Sequence, residues 1–415
     1  MENPSVALFL LAFTVLSFSW VFYVKDTLRK ICICLLAVFV YIYCGLGVGY
    51  ADRSYFEYEV YYCLYVLILS LSIRFFYKRD FKLPVNEGIN RFSDKFGGFI
   101  IAVYYIIIMM PLIQGGNIGL LVSPPAPNLV EHFSDVDFSE NQVSGIFDSI
   151  KNFISPLFYL SLTRYIKKPK ILIPLLLFPQ YVIYCNASYM GRGSMAFFLI
   201  FIFIYIYLFF PNKRKTITLA AFAGIPGIIV FFAAYVFIRQ GVQADTTSFL
   251  DGFNFLIQSE TYYYSWYYDI IGDAKYLLNY IVWFITLPLP GFLKPFNMNF
   301  SFNALFTMEV MGMGSLTDVK SILLPGLVNE SIFIFGRQFF FLHAILFGWV
   351  YSFVFNTLSK NIKNILPLLY IMLELSIQCP RGGTSGPYSD ALKLLFIYFI
   401  FYFFSGSSKK KIITE

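Results

Sequence analysis

Four arginines, Arg192, Arg239, Arg337 and Arg381, stand at the ends of apolar runs. Arginine stays charged and grips phosphate oxygens in a planar fork. Several on one membrane face suggest an anion site. The plainer reading of each is an arginine snorkelling to the lipid headgroups. Two have informative contexts. Arg192 lies in Ala187-Ser188-Tyr189-Met190-Gly191-Arg192-Gly193-Ser194. Its glycines permit close backbone approach, and the start of the following helix favours an anion. Arg239 closes a run in Phe237-Ile238-Arg239-Gln240-Gly241.

Glu330 is an acid at the edge of an apolar helix, and Arg337 follows seven residues later. That spacing is about two helical turns, so the two share a face provided Gly336 does not break the helix. A partly buried glutamate there is a candidate general base; the plainer alternative is a Glu–Arg helix pair. Tyr264, Trp266 and Tyr267 lie in an aromatic cluster from Tyr262 to Tyr268. Flat amphipathic rings suit sugar faces and membrane interfaces equally.

Other chemistries find little support. The chain has no phosphate-binding P-loop, dinucleotide fingerprint or nucleophile elbow. Its two histidines, His132 and His343, are not placed for a metal site, and Asp135 and Asp137 fall in an outer loop without nucleotide sugars. No metal or cofactor is expected. Six cysteines, mostly in or at the ends of apolar runs, read as packing residues.

The elements that position these residues follow from composition. The chain has 415 residues, 58% hydrophobic and 13% charged, against about 25% charged in soluble domains. Mean hydropathy is +0.67. A soluble, disordered or fibrous protein is excluded, and long non-alternating runs exclude an outer-membrane barrel. The expected fold is an all-α polytopic integral membrane protein of about eleven spans, within ten to twelve, at roughly 20 residues each. The apolar runs are 5–24, 31–50, 58–73, 97–114, 152–166, 171–189, 194–210, 216–238, 338–356, 364–379 and 390–404. The first reads as a retained span rather than a cleaved signal.

Short basic connections hold 20 of the 31 Lys and Arg residues. They alternate with longer acidic or mixed ones, which assigns the basic set to the cytoplasm. The N-terminus is then outside and the C-terminus inside. The net charge of +7 is this asymmetry, not a nucleic-acid patch. Three regions are expected: a bundle over 1–238 with an outer loop at 115–151, a loop subdomain with interfacial helices over 239–337, and closing spans with a basic tail over 338–415. Tyr276 to Leu287 is apolar but is stopped by Pro288, Pro290 and Gly291, so 276–293 is read as not crossing. Lipid-facing Phe and interfacial Tyr would explain most of the 21% aromatic content.

With these features in place, the chain resembles the bacterial O-antigen polymerases, the Wzy-type polymerases of oligosaccharide repeat units. Three features carry the resemblance: the Gly191-Arg192-Gly193 turn, the large outer loop after Arg239, and Pro325-Gly326 with Asn329-Glu330, Phe335-Gly336 and a closing helix containing Gly348. In outline it covers nearly the whole chain, though its motifs are short. It implies metal-independent glycan transfer at the outer face of the bacterial inner membrane, onto a newly flipped polyprenyl-pyrophosphate-linked oligosaccharide. It further implies that Arg192, Arg239 and Arg337 bind pyrophosphate, with Arg381, Tyr264, Trp266 and Tyr267 contacting substrate and Glu330 as the base. Related ligases use an outer-loop histidine, and none lies between Arg239 and Arg337. Membrane lipid, a chain-length regulator and a flippase are the implied partners. The alternative is a lipid-linked oligosaccharide flippase, but its short loops and charge-lined central cavity fit this sequence less well.

Overall fold

The computed structural model describes residues 4–46, 48, 56–77, 87–124, 145–187, 192–224, 227, 274, 276–287, 302–313, 324–360 and 364–406. Among these residues the chain is all-helical, with no strand. Five helices are long and apolar enough to cross a membrane: Pro4–Tyr23, Thr27–Gly45, Glu57–Tyr77, Phe92–Gln114 and Gly326–Leu358. The pair Phe197–Phe209 and Pro211–Gly224, bent by 117°, makes a sixth candidate. This multi-pass character agrees with the composition. Most of the run 216–238 and much of 239–337 lie outside the described residues. The stretch 276–293 contributes a helix of ten residues, Leu277–Thr286, about 15 Å long and half a hydrocarbon core.

Contacts divide the chain into two compact units. The first comprises Met1–Pro84, Asn254–Lys360 and Ile371–Leu395. It contains α1 (Pro4–Ser17), α2 (Thr27–Val40) and α3 (Phe56–Tyr77). The expected boundary at 337 falls inside a later helix, Gly326–Leu358, which packs closely on α3.

α2 starts where the Asp26 side chain accepts the Arg29 backbone N–H at 2.9 Å, an N-cap. It runs on through a π-turn, Tyr41–Gly45. Arg29, one of the basic-connection residues, is itself buried. Its guanidinium donates to Asn356 Oδ1 and lies 4.3 Å from the Tyr77 ring and 3.9 Å from the Phe355 ring. A buried cation in an apolar bundle requires such partners.

Hydroxyl groups stitch the first unit together. Thr14 Oγ1 meets Tyr62 OH at 2.7 Å, Trp20 Nε1 donates to Ser70 Oγ at 2.8 Å, and Tyr58 OH donates to the Cys44 carbonyl at 3.1 Å. Tyr58, Tyr62, Tyr65, Tyr280, Tyr351 and Tyr388 are fully buried. These tyrosines are therefore internal rather than interfacial. Where lipid replaces water, apolar burial drives helix association weakly, and directional hydrogen bonds and close packing gain importance. Leu8, Phe9, Leu16, Leu71 and Phe75 face outward, as acyl chains permit.

The second unit comprises Val85–Phe253, Asn361–Tyr370 and Phe396–Glu415. It contains α4 (Glu87–Gln114), α5 (Gly145–Leu162), α6 (Pro169–Ala187), α7 (Arg192–Phe209) and α8 (Pro211–Gly224). Tyr104 stacks on Phe158 at 4.1 Å between α4 and α5. Tyr105 OH donates to the Leu175 carbonyl of α6 at 2.8 Å. Tyr205 OH donates to the Ile166 carbonyl at 2.6 Å.

Gly348 is where α3 and the Gly326–Leu358 helix touch most closely. A Cβ there would lie 2.5 Å from Ser72 Cβ and 3.1 Å from the Ile73 backbone nitrogen. The small residue sets the approach, as in other membrane helix pairs. Gly348→Val is expected to destabilise the protein by about 1–3 kcal/mol through overpacking. Gly119→Ala, in open space, is the control. Thermal unfolding of the purified full chain in detergent compares the two; equal midpoints would contradict the close approach.

Candidate functional site

The most concentrated buried polar chemistry among the described residues is built in the first unit around Glu330. Three glycines with positive φ shape it. Gly326 (φ 67°) opens the helix Gly326–Leu358 just after Pro325. Gly336 (φ 74°, ψ 167°) breaks that helix. Gly383 (φ 78°) precedes the last helix. Only glycine adopts these conformations without strain. The segments flanking Gly336 are numbered α11a (326–335) and α11b (337–358), after α9 (Leu277–Thr286) and α10 (Phe302–Met311).

Every residue of α11a is buried, Asn329, Glu330 and Ser331 included. Glu330 is 1% exposed, so its carboxylate needs partners within the chain. They come from a turn 54 residues later. Thr384 donates its backbone N–H to Glu330 Oε2 at 2.7 Å and its hydroxyl to Oε1 at 2.8 Å. One residue thus occupies both carboxylate oxygens. Thr384 also stands at the head of the closing helix, α13 (Ser385–Gly406), and its carbonyl accepts the Tyr388 N–H at 3.0 Å. A helix start is the end that attracts negative charge.

The approach to that turn is equally constrained. α12 (Ile365–Leu373) leads into a π-turn, Glu374–Gln378, and a short helix, Cys379–Gly382, carries Arg381. A Cβ on Gly383 would fall 2.7 Å from Glu330 Oε2. Gly383 is therefore demanded twice, by its backbone angle and by the carboxylate against it.

A second shell of hydroxyl and imidazole closes the site. His343 of α11b is fully buried, with Nε2 3.8 Å from Glu330 Oε2. That is too long for a hydrogen bond, and Nε2 has no hydrogen-bond partner. His343 Nδ1 pairs with Tyr65 OH of α3 at 2.9 Å. Tyr280 OH of α9 meets Thr384 Oγ1 at 3.0 Å. Phe335 packs its edge on His343 at 5.7 Å. The chain Tyr65–His343–Glu330–Thr384–Tyr280 thus joins α3, α11a, α11b, the α13 turn and α9.

The residues singled out from sequence fare differently. The condition on Glu330 and Arg337 fails, because Gly336 breaks the helix between them and the seven-residue spacing no longer aligns their faces. Glu330 faces Thr384 and His343, while Arg337 starts α11b, half-buried. Arg381 is half-buried on the turn that Glu330 holds. Arg192 is the first residue of α7, the helix start expected after Gly191, and its side chain lies outside the description. Arg239, Tyr264, Trp266, Tyr267, Asp135 and Asp137 lie outside the described residues.

Sequence reading passed over Thr384, His343, Tyr65 and Tyr280. Arg381-Gly382-Gly383-Thr384 directly before an apolar run is a recognisable helix-start signal. Nothing local links it to Glu330.

Comparison with family models, curated proteins and solved structures finds no match to the chain.

The Thr384 hydroxyl should be separable from its backbone N–H. Thr384→Val leaves Glu330 Oε1 without its donor and is expected to cost about 1–3 kcal/mol. Thr384→Ser keeps both donors and should stay near wild type. Chemical or thermal unfolding in detergent measures the difference; a neutral Thr384→Val would show that the hydroxyl bond carries no stability.

Proposed function

We infer that the chain polymerises polyprenyl-pyrophosphate-linked oligosaccharide repeat units into a surface polysaccharide such as O-antigen. It acts as a metal-independent glycosyltransferase at the outer face of a bacterial inner membrane. The observation that carries this reading is the clamped turn beneath Arg381. A carboxylate buried among apolar helices holds Thr384 by both oxygens, which fixes the backbone three residues after Arg381. A guanidinium on a pre-set turn suits a pyrophosphate, whose charge rises as the leaving bond breaks. Lipid-linked substrates arrive through the bilayer while the growing glycan needs water, so an apolar multi-pass chain with arginines at helix ends fits both.

In this reading eleven spans carry the chain, with the C-terminus cytoplasmic and 239–337 forming a periplasmic subdomain. Arg192, Arg239, Arg337 and Arg381 bind pyrophosphate. Tyr264, Trp266 and Tyr267 lie along the sugars. An acceptor hydroxyl oxygen attacks the anomeric carbon of the nascent chain and gives up its proton. The bond from that carbon to the pyrophosphate oxygen breaks, and its electron pair leaves with polyprenyl pyrophosphate. Glu330, 1% exposed with both oxygens engaged, acts in this proposal as a positioning residue for the Arg381 turn rather than as the base that takes the acceptor proton.

The decisive experiment is the glycolipid ladder of cells lacking the gene, resolved by electrophoresis. The expected result is a core bearing a single repeat unit and no ladder, restored by the wild-type chain. Loss of even the single-repeat band would indicate a flippase or ligase, and a persisting ladder would remove any polymerase role. Arg381→Ala at normal membrane abundance should lower polymer formation by about 100-fold or more, the usual loss on removing a donor to developing charge. Glu330→Gln should retain more activity than Glu330→Ala, since an amide oxygen still accepts one Thr384 bond.

A further inference from the structure

The crook between α7 and α8 is incompletely filled. α7 ends at Phe209, and α8 leaves from Pro211 at an angle of 117°. Ile217 lines a hollow on each side of α8. One, of about 220 Å³, lies between α7 and α8. The other, of about 490 Å³, also reaches α6. Its apolar wall includes Ile173, Ile206, Phe210 and Ile217, and its lining includes Lys170 and Lys213.

Both lysines are exposed, and neither ammonium has a hydrogen-bond or ion-pair partner among the described residues. Arg214, by contrast, donates Nε to the Tyr207 carbonyl at 3.0 Å. The charge balance of this region is one-sided. From 149 to 244 the sequence contains no Asp or Glu, while Lys167, Lys168 and Lys215 flank the two lining lysines. α8 also turns Leu219 and Phe222 outward. A basic start followed by exposed apolar side chains is the composition of a helix that rests in a lipid interface.

We propose that this crook binds an anionic phospholipid. The lipid phosphate lies between Lys170 and Lys213, and an acyl chain runs along Ile173, Ile206, Phe210 and Ile217. A free phosphate would satisfy the ammonium groups but leave the apolar hollow empty; a neutral lipid would fill the hollow but leave two cations unpaired. A diacyl lipid with a net negative headgroup meets both demands. The site uses no residue assigned to glycan transfer and stands whether or not that activity is found.

Native mass spectrometry of the full chain in detergent, titrated with phosphatidylglycerol or phosphatidylcholine, reads the retained lipid. Phosphatidylglycerol should be retained more strongly. Lys170→Gln with Lys213→Gln should weaken its retention about thirtyfold, at roughly fivefold per lysine, and leave phosphatidylcholine unchanged. Ile217→Trp, which occupies the hollow without altering charge, should weaken both. Melting temperatures are measured alongside, and the exposed Lys213→Gln alone replaces the double variant if that unfolds; a loss of about fivefold is then expected. Equal retention of the two lipids by wild type, or unchanged phosphatidylglycerol retention in a folded lysine variant, would overturn the site. Displacement of the lipid by inorganic phosphate, but not by chloride at equal ionic strength, would assign the lysines to a free anion instead.

Discussion

A carboxylate with no access to water fixes the arrangement of the first unit. Glu330 must be satisfied by the chain itself, because an unpaired buried charge costs several kcal/mol. Thr384 meets the demand with two donors on one residue. That solution imposes others. Gly383 must lack a side chain so that the carboxylate can approach. α13 must begin where it does, so that Thr384 presents its N–H before the first turn. Tyr280 and His343 then pack around a group already held, and Tyr65 orients the imidazole.

The apolar periodicity of the chain was a good guide to its helices. The runs 58–73 and 97–114 correspond to α3 and α4, and the run beginning at 338 starts two residues beyond the Gly336 break. That break was present in the sequence as a condition on Glu330 and Arg337. A glycine inside an apolar run has no fixed sign, since the same residue at 348 sits in an unbroken helix and serves close packing. The conformational choice is made by packing, which one residue type does not encode.

The site itself was only half legible. Glu330 and Arg381 drew attention as charges in apolar surroundings. Their connection runs through Thr384, 54 residues from Glu330, and pairings at that distance have no local signature. His343 looked misplaced because it lies within an apolar run; its partner Tyr65 is 278 residues away. Arg29 misled in the opposite direction. It belongs to the basic connections by sequence, yet it is buried between two rings with Asn356 as acceptor. Charge counting locates sides of a membrane from sums over many residues and remains informative when one member turns inward.

The π-turn at Glu374–Gln378 carries a consequence for how this chain can change over time. Such a turn holds one residue more than an α-helix would need, and behaves as an insertion absorbed without breaking the rod. Each residue in a helix advances the next by about 100°. Loss of a single residue within 374–378 would leave a smoother helix and would rotate everything after it by that angle. Arg381, Gly383 and Thr384 would then face away from Glu330. The segment is therefore tolerant of substitution but intolerant of any change in length, and alignments of sequences descended from this one should show variable letters there and no gaps.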